Sequence, residues 1–268
     1  MQKITLSNTQ ITVSKFIFGT ASLFNVGEQS KRIRLIEAAV DNGFTHFDTA
    51  PYYGFGMAER DLSALAKSHP DVTVTTKVGI YSPGGENQPW PSIFFRKSAG
   101  RFIRALSTPT ISFDLARARG ALEASLKRLG RDVIDVYMLH EPTLDLVDTD
   151  EWNRWLEDVV ASGKVKSFGL ALTADRLEPF LAKPDPLCGL VQMYDSLEHN
   201  EADILAQHGK PFQITYGYVS AARQAGSDLS VTDILQRALK RNPDGAIIVS
   251  TKREDRLKQY GQILGDAR

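Results

Sequence analysis

From Lys15 onward the sequence alternates short apolar runs with segments of helical period, and that alternation constrains the fold more than any other feature. The runs fall at 15–18, 44–48, 72–77, 134–139, 165–170, 190–194, 212–216 and 246–249. The clearest helical segment is 114–129, where Leu115, Ala118, Leu122, Leu126 and Leu129 step by three and four along one face. Gly130 follows it, the residue type that ends a helix in a left-handed conformation. An earlier helix is expected to take Ser30 as its cap, to line Ile33, Ile36, Ala39 and Val40 along one side, and to close at Gly43. Strand followed by helix, repeated, calls for a parallel sheet. Eight such units within 268 residues predict a closed (β/α)8 TIM barrel rather than an open doubly wound sheet, because no strand leads into a G-x-G-x-x-G phosphate turn.

Ahead of the barrel, residues 3–6 and 11–13 flank the polar turn Ser7-Asn8-Thr9 and predict an N-terminal β-hairpin. No repeat, low-complexity segment or break in composition divides the chain, so 1–268 reads as a single domain. One connection, 78–112, is too long to be mere linkage. It carries Tyr81, Trp90, Phe94, Phe95 and Phe102 with Arg96, Lys97, Arg101 and Arg104, and loops of that length are usually functional or partly folded.

Charge excludes some partners. Lysine and arginine together number 32, as do aspartate and glutamate, so nothing calls for nucleic acid or an acidic membrane surface. The only cysteine, Cys188, cannot form an intrachain disulfide and reads as a small buried apolar residue. The opening MQKITLSNTQITVSK has no apolar core of a signal peptide, and no run is long enough for a bilayer, so a cytoplasmic location is expected.

In a barrel of this kind the active site is built from the carboxyl ends of the strands and the loops after them. Asp48 ends the second predicted strand, Tyr53 follows in its loop, Lys77 ends the third, and His140 follows the fourth. Each alone has an ordinary explanation: a loop cap, a turn aromatic, a strand-end lysine, a satisfied histidine. Together at one rim they form a device for moving a proton at a carbonyl or alcohol oxygen. An ammonium in contact is expected to lower the pKa of a phenol, an aspartate keeps that ammonium charged and aimed, and a histidine orients the substrate oxygen. None of the four carries a hydride, so a redox reading demands a nicotinamide cofactor. His46 and Asp48, two apart on one strand, face the same way and keep a metal-dependent barrel hydrolase open as a different reading.

The stretch Phe47-Asp48-Thr49-Ala50-Pro51-Tyr52-Tyr53-Gly54, with Gly56 and Glu59, resembles the signature of the aldo-keto reductase superfamily. The same order continues in Thr76-Lys77-Val78-Gly79, in 125–130, and in Ile134-Asp135-Val136-Tyr137-Met138-Leu139-His140, so the resemblance covers essentially the whole chain. It implies a barrel that binds NADP(H), or NAD(H), extended across its rim, with Asp48, Tyr53, Lys77 and His140 as catalytic tetrad and Tyr53 as proton donor. It further implies that Gln192 holds the nicotinamide carboxamide and that Tyr216 stacks on the ring. Ser250, Thr251, Lys252, Arg253 and Arg256 match the adenosine-phosphate site, where a helix N-terminus with hydroxyls and cations would seat a 2′-phosphate. Two departures stand out: Ala171-Leu172 replace the Ser-Asn that many members carry after strand five, and Ser250 stands where some have a lysine. The long carboxy-terminal substrate loop of many members is not expected after the last helix, and 78–112 is expected to do more of the substrate selection.

The implied activity is NADP(H)-dependent reduction of an aldehyde or ketone, with a small-molecule carbonyl or sugar as substrate. The reverse chemistry, an NAD(P)-dependent aldose 1-dehydrogenase, is the near alternative. A low-turnover redox sensor that binds the cofactor is the distant one.

Overall fold

The computed structural model describes residues 1–88, 92, 93, 96 and 108–266. Its strands are β1 (Lys3–Thr5), β2 (Thr12–Ser14), β3 (Phe16–Gly19), β4 (His46–Asp48), β5 (Thr73–Val78), β6 (Ile80–Tyr81), β7 (Thr110–Ile111), β8 (Ile134–His140), β9 (Val165–Leu172), β10 (Val191–Tyr194), β11 (Ile214–Tyr216) and β12 (Ala246–Val249). Eight of them close into a barrel in the order β10, β11, β12, β3, β4, β5, β8, β9, and every pair in it is parallel. The (β/α)8 fold read from the alternation is therefore the fold of the chain.

The strands alternate as a barrel with two apolar layers must. Phe16, Phe18, Phe47, Tyr137, Leu139 and Val191 point outward into the main core beneath the helices. Ile17, Val136, Met138, Ala171, Ile214 and Ala246 point inward. The hairpin of β1 and β2 adds Leu6, Ile11 and Val13 to that inner layer, next to residues that begin the strands. It plugs the amino-terminal end of the barrel and leaves the carboxyl end open. Lys15 completes the plug, its ammonium donating to the carbonyls of Asn242, Pro243 and Gly245 at 2.9, 2.6 and 2.5 Å.

Around the barrel the helix Leu115–Leu129 follows its sequence pattern. Asp114 caps it by accepting from the Arg117 amide at 2.8 Å, Ala118, Leu122, Leu126 and Leu129 are buried, and Gly130 closes it at φ 64°. The first helix departs from expectation. It spans Gln29–Asp41 with Glu28 as its cap residue, so Ser30 lies in the first turn instead of capping it, and Leu35 is buried where Ile33 is only partly so. Strand five also runs further than its apolar pattern, through Ala171 and Leu172, because Ala171 is paired on both sides, to His140 and to Gln192.

The long connection leaves and returns as a two-stranded ribbon, with Ile80 opposite Ile111 and Tyr81 opposite Thr110. Trp90, Phe94, Phe95, Lys97, Arg101, Phe102 and Arg104 lie outside the described residues. Among the described residues no helix is long and apolar enough to cross a membrane.

Candidate active site at the carboxyl ends of the strands

Asp48 is the last residue of β4 and Lys77 the last but one of β5, both inward-facing in a barrel whose interior at this end is polar. The two are buried together, and the Lys77 ammonium donates to Asp48 Oδ1 at 2.8 Å, to Oδ2 at 2.5 Å and to the Thr49 carbonyl at 2.9 Å. Burial pulls the aspartate upward and the lysine downward in pKa, and each charge opposes the shift of the other. A carboxylate and an ammonium in fork contact, with a third acceptor on the ammonium, form an ion pair.

Tyr53 reaches this pair from the turn between β4 and the helix Met57–Ser68. The turn winds through three consecutive left-handed residues, Gly54, Phe55 and Gly56, at φ 61°, 58° and 76°. At Gly56 space as well as conformation requires glycine, since a Cβ there would lie 2.6 Å from the Glu86 carbonyl; at Gly54 a Cβ would lie a tight 3.2 Å from Phe24 Cβ, and the positive φ is the stronger constraint. The turn brings the Tyr53 hydroxyl to 3.4 Å from Lys77 Nζ, with the ammonium 5.0 Å from the ring centroid. His140, at the end of β8, sets its ring edge-on to Tyr53 at 5.9 Å and 86°.

The electrostatics differ from the sequence reading at one point. The lysine contact was expected to lower the phenol's pKa. Instead burial, with the charges of Asp48 and Glu141 behind it, pushes Tyr53 well above its ordinary value. The ammonium is already shared between both Asp48 oxygens, so little of its charge is left to stabilise a phenolate. His140 moves the other way, held well below its ordinary value by burial and by Lys77. At neutral pH the site therefore holds a neutral phenol and a neutral imidazole beside an ion pair.

These groups line a cavity of about 410 Å³ that also takes in Ala171, Gln192, Tyr216 and Ser250. Gln192, on β10, hydrogen-bonds Asp48, and its Oε1 is buried with no partner among the described residues. Tyr216 ends β11, with its ring edge-on to Tyr194 at 5.8 Å. Ser250 donates to the Gly19 carbonyl at 3.1 Å across the seam between β12 and β3. The remaining expected cofactor residues do not enter that cavity. Lys252 and Arg253 line a second groove of about 490 Å³ with Lys31 and Arg34 of the first helix, and Arg253 is held by Asp255. Thr251 accepts from the Arg253 amide at 3.1 Å, and Arg256 bonds the hydroxyl of Tyr260.

Glu141 escaped the sequence reading although it lines the same cavity. It directly follows His140, at the end of a strand, which is the criterion that had picked out Asp48. The donors that a metal reading needs are occupied: His46 Nδ1 and Nε2 each lie 2.7 Å from a threonine hydroxyl, Thr73 and Thr75, and Asp48 belongs to Lys77.

A family model described as "Aldo/keto reductase family" matches residues 15–214. The chain is 29% identical over 180 residues to a 6-dehydroglucose reductase of Agrobacterium fabrum, a match covering 64% of this chain and 54% of that protein. It is 30% identical over 182 residues to a D-threo-aldose 1-dehydrogenase of Pseudomonas sp, covering 61% and 51%. The matches thus span about half the length of these curated relatives. Among solved structures it resembles an aldo-keto reductase from Klebsiella pneumoniae in complex with NADPH, with TM-score 0.65 and 20% identity over 99% of this chain and 90% of that one. That last likeness is one of fold.

Proposed function

The chain belongs to the aldo/keto reductase family, and from that premise we propose that it is an NADP(H)-dependent oxidoreductase reducing a small aldehyde or ketone to an alcohol, with Tyr53 as proton donor. One observation carries the reading: a neutral phenol at 3.4 Å from an ammonium that a buried aspartate grips by both oxygens. A phenol kept protonated at neutral pH is equipped to give a proton rather than to take one. As the carbonyl oxygen gains charge it accepts that proton, and the Lys77 ammonium, held by Asp48, lies 3.4 Å from the oxygen that gives it up. His140, neutral and edge-on to Tyr53, is a group to hold the substrate oxygen in line.

The nicotinamide, when bound, supplies the hydride. The residues present fit it: a primary carboxamide can donate to the partnerless Gln192 Oε1, and Tyr216 offers a ring at the same wall. Lys252 and Arg253, in one groove with Lys31 and Arg34 and flanked in the chain by Thr251 and Arg256, favour a 2′-phosphate and hence NADP(H) over NAD(H). The partner is then a small carbonyl compound in the cytoplasm. The name of one curated relative, the D-threo-aldose 1-dehydrogenase, favours a second reading, oxidation of a sugar at its anomeric hydroxyl, which the same four residues serve in reverse; the name of the other, a 6-dehydroglucose reductase, agrees with the first.

The test is titration with NADPH and with NADH, followed by tryptophan fluorescence, then addition of a reactive aromatic aldehyde. Tight NADPH binding with aldehyde-dependent loss of nicotinamide absorbance, abolished in Tyr53→Phe, is the expected result. Binding without turnover of aldehydes or of sugars favours a redox sensor. No binding of either nucleotide overturns the cofactor.

A further inference from the structure

Glu141 is held with more care than a loop residue needs. Its backbone sits at φ 52°, a left-handed conformation that a non-glycine residue adopts only when its surroundings enforce it. The enforcement is visible. Its amide donates to the Ala171 carbonyl at 2.7 Å, and its own carbonyl accepts from the guanidinium of Arg176, whose Nε also lies 3.6 Å from Oε2. The result is a carboxylate turned onto the cavity wall, where Oε1 accepts from the Tyr216 hydroxyl at 3.3 Å. The wall beneath it is Ala171, which has no polar side-chain atom. Arg176 is a third exposed and balances the acid from its solvent side, while Tyr53, His140, Lys77 and Tyr216 face it from within.

We propose that Glu141 sets the redox preference of the site: its carboxylate favours the cationic, oxidised nicotinamide over the neutral, reduced one, and so biases the bound equilibrium toward alcohol. The inference rests on the cofactor reading above. Hydride transfer to the carbonyl carbon moves the C=O π pair onto oxygen, which takes the Tyr53 proton, and leaves the pyridine ring with a positive charge. A fixed anion at that wall stabilises the charged product side and not the reactant side. The bond to Tyr216 adds to the effect, because a phenol donating to a carboxylate has a more electron-rich ring, and such a face attracts a cation.

The test compares the dissociation constants of NADP⁺ and NADPH, read by tryptophan fluorescence in wild type, Glu141→Gln and Glu141→Asp. Glutamine keeps the acceptor but removes the charge, and the ratio is expected to shift about tenfold against NADP⁺, as loss of one charge near the ring implies. Aspartate, a residue more at ease in the left-handed region, keeps the charge and should keep most of the preference. Equal weakening of both nucleotides in Glu141→Gln, or an unchanged ratio, overturns the proposal while leaving the cofactor reading intact. Failure of wild type to bind either nucleotide overturns both. If Glu141→Gln does not fold, the aspartate variant decides: a lost preference with the charge still present counts against the idea.

Discussion

Tyr53 stands 3.4 Å from a full positive charge and yet remains a phenol, because burial and the nearby charges of Asp48 and Glu141 raise its pKa and the ammonium is paired to Asp48. On the proposed reading, that suits a group that holds its proton in the ground state and gives it up only in the reaction. Tyr53→Phe should lower kcat by about two to four orders of magnitude, the usual contribution of a positioned acid, while the NADPH dissociation constant stays near its wild-type value. Steady-state rates and a binding titration on the same preparation check it. Asp48→Asn should behave differently, since it strands a buried ammonium, and a loss of about 3–5 kcal/mol in urea unfolding is expected alongside the loss of rate. At this scale the four residues Asp48, Tyr53, Lys77 and His140 were legible because each lies at or just past the end of an apolar run. Glu141 lies there too. Its presence in the cavity depends on a left-handed backbone enforced by Arg176, thirty-five residues further on, and no local pattern announces such a contact.

Elements supply what the residues cannot. The turn that carries Tyr53 is legible as Gly-Phe-Gly, but its handedness comes from space: Gly56 has the Glu86 carbonyl where a side chain would begin. Gly56→Ala should therefore cost about 1–3 kcal/mol in strain and also reduce kcat, because relief of the clash displaces Tyr53; thermal melting and turnover should fall together. The groove of Lys31, Arg34, Lys252 and Arg253 joins the first helix to the loop after the last strand, a pairing that the sequence separates by more than two hundred positions. The double variant Lys252→Ala, Arg253→Ala should weaken NADPH about tenfold and leave NADH unchanged, and the difference should shrink in high salt. Boundaries were less legible than elements. Ser30 looked like a cap, but the chain turns into its helix at Glu28. Strand five ran past its pattern because both neighbouring strands had hydrogen bonds to offer it.

For the molecule as a whole, the barrel's polar interior ties stability to pH through His46, fully buried and pushed down by that burial from its ordinary value near 6.5 to about 4. The unfolded chain protonates this histidine first as pH falls, so stability is complete above about 6.5 and declines between there and about 4. The loss attributable to His46 is about 3 kcal/mol, and urea midpoints measured from pH 7 down to pH 4.5 should record most of it. The same closed topology has a consequence for synthesis. The seam of the barrel pairs Phe16, Ile17 and Phe18 with Ile247, Ile248 and Val249, and Ser250 fastens it at the cavity itself. On the ribosome, the first of these strands waits with one open edge until nearly the whole chain has been made, and until then the cavity at the carboxyl ends of the strands is not closed. A nascent chain of this protein therefore carries an unpaired, apolar strand edge for most of its synthesis, and completion of the last strand is the event that removes it.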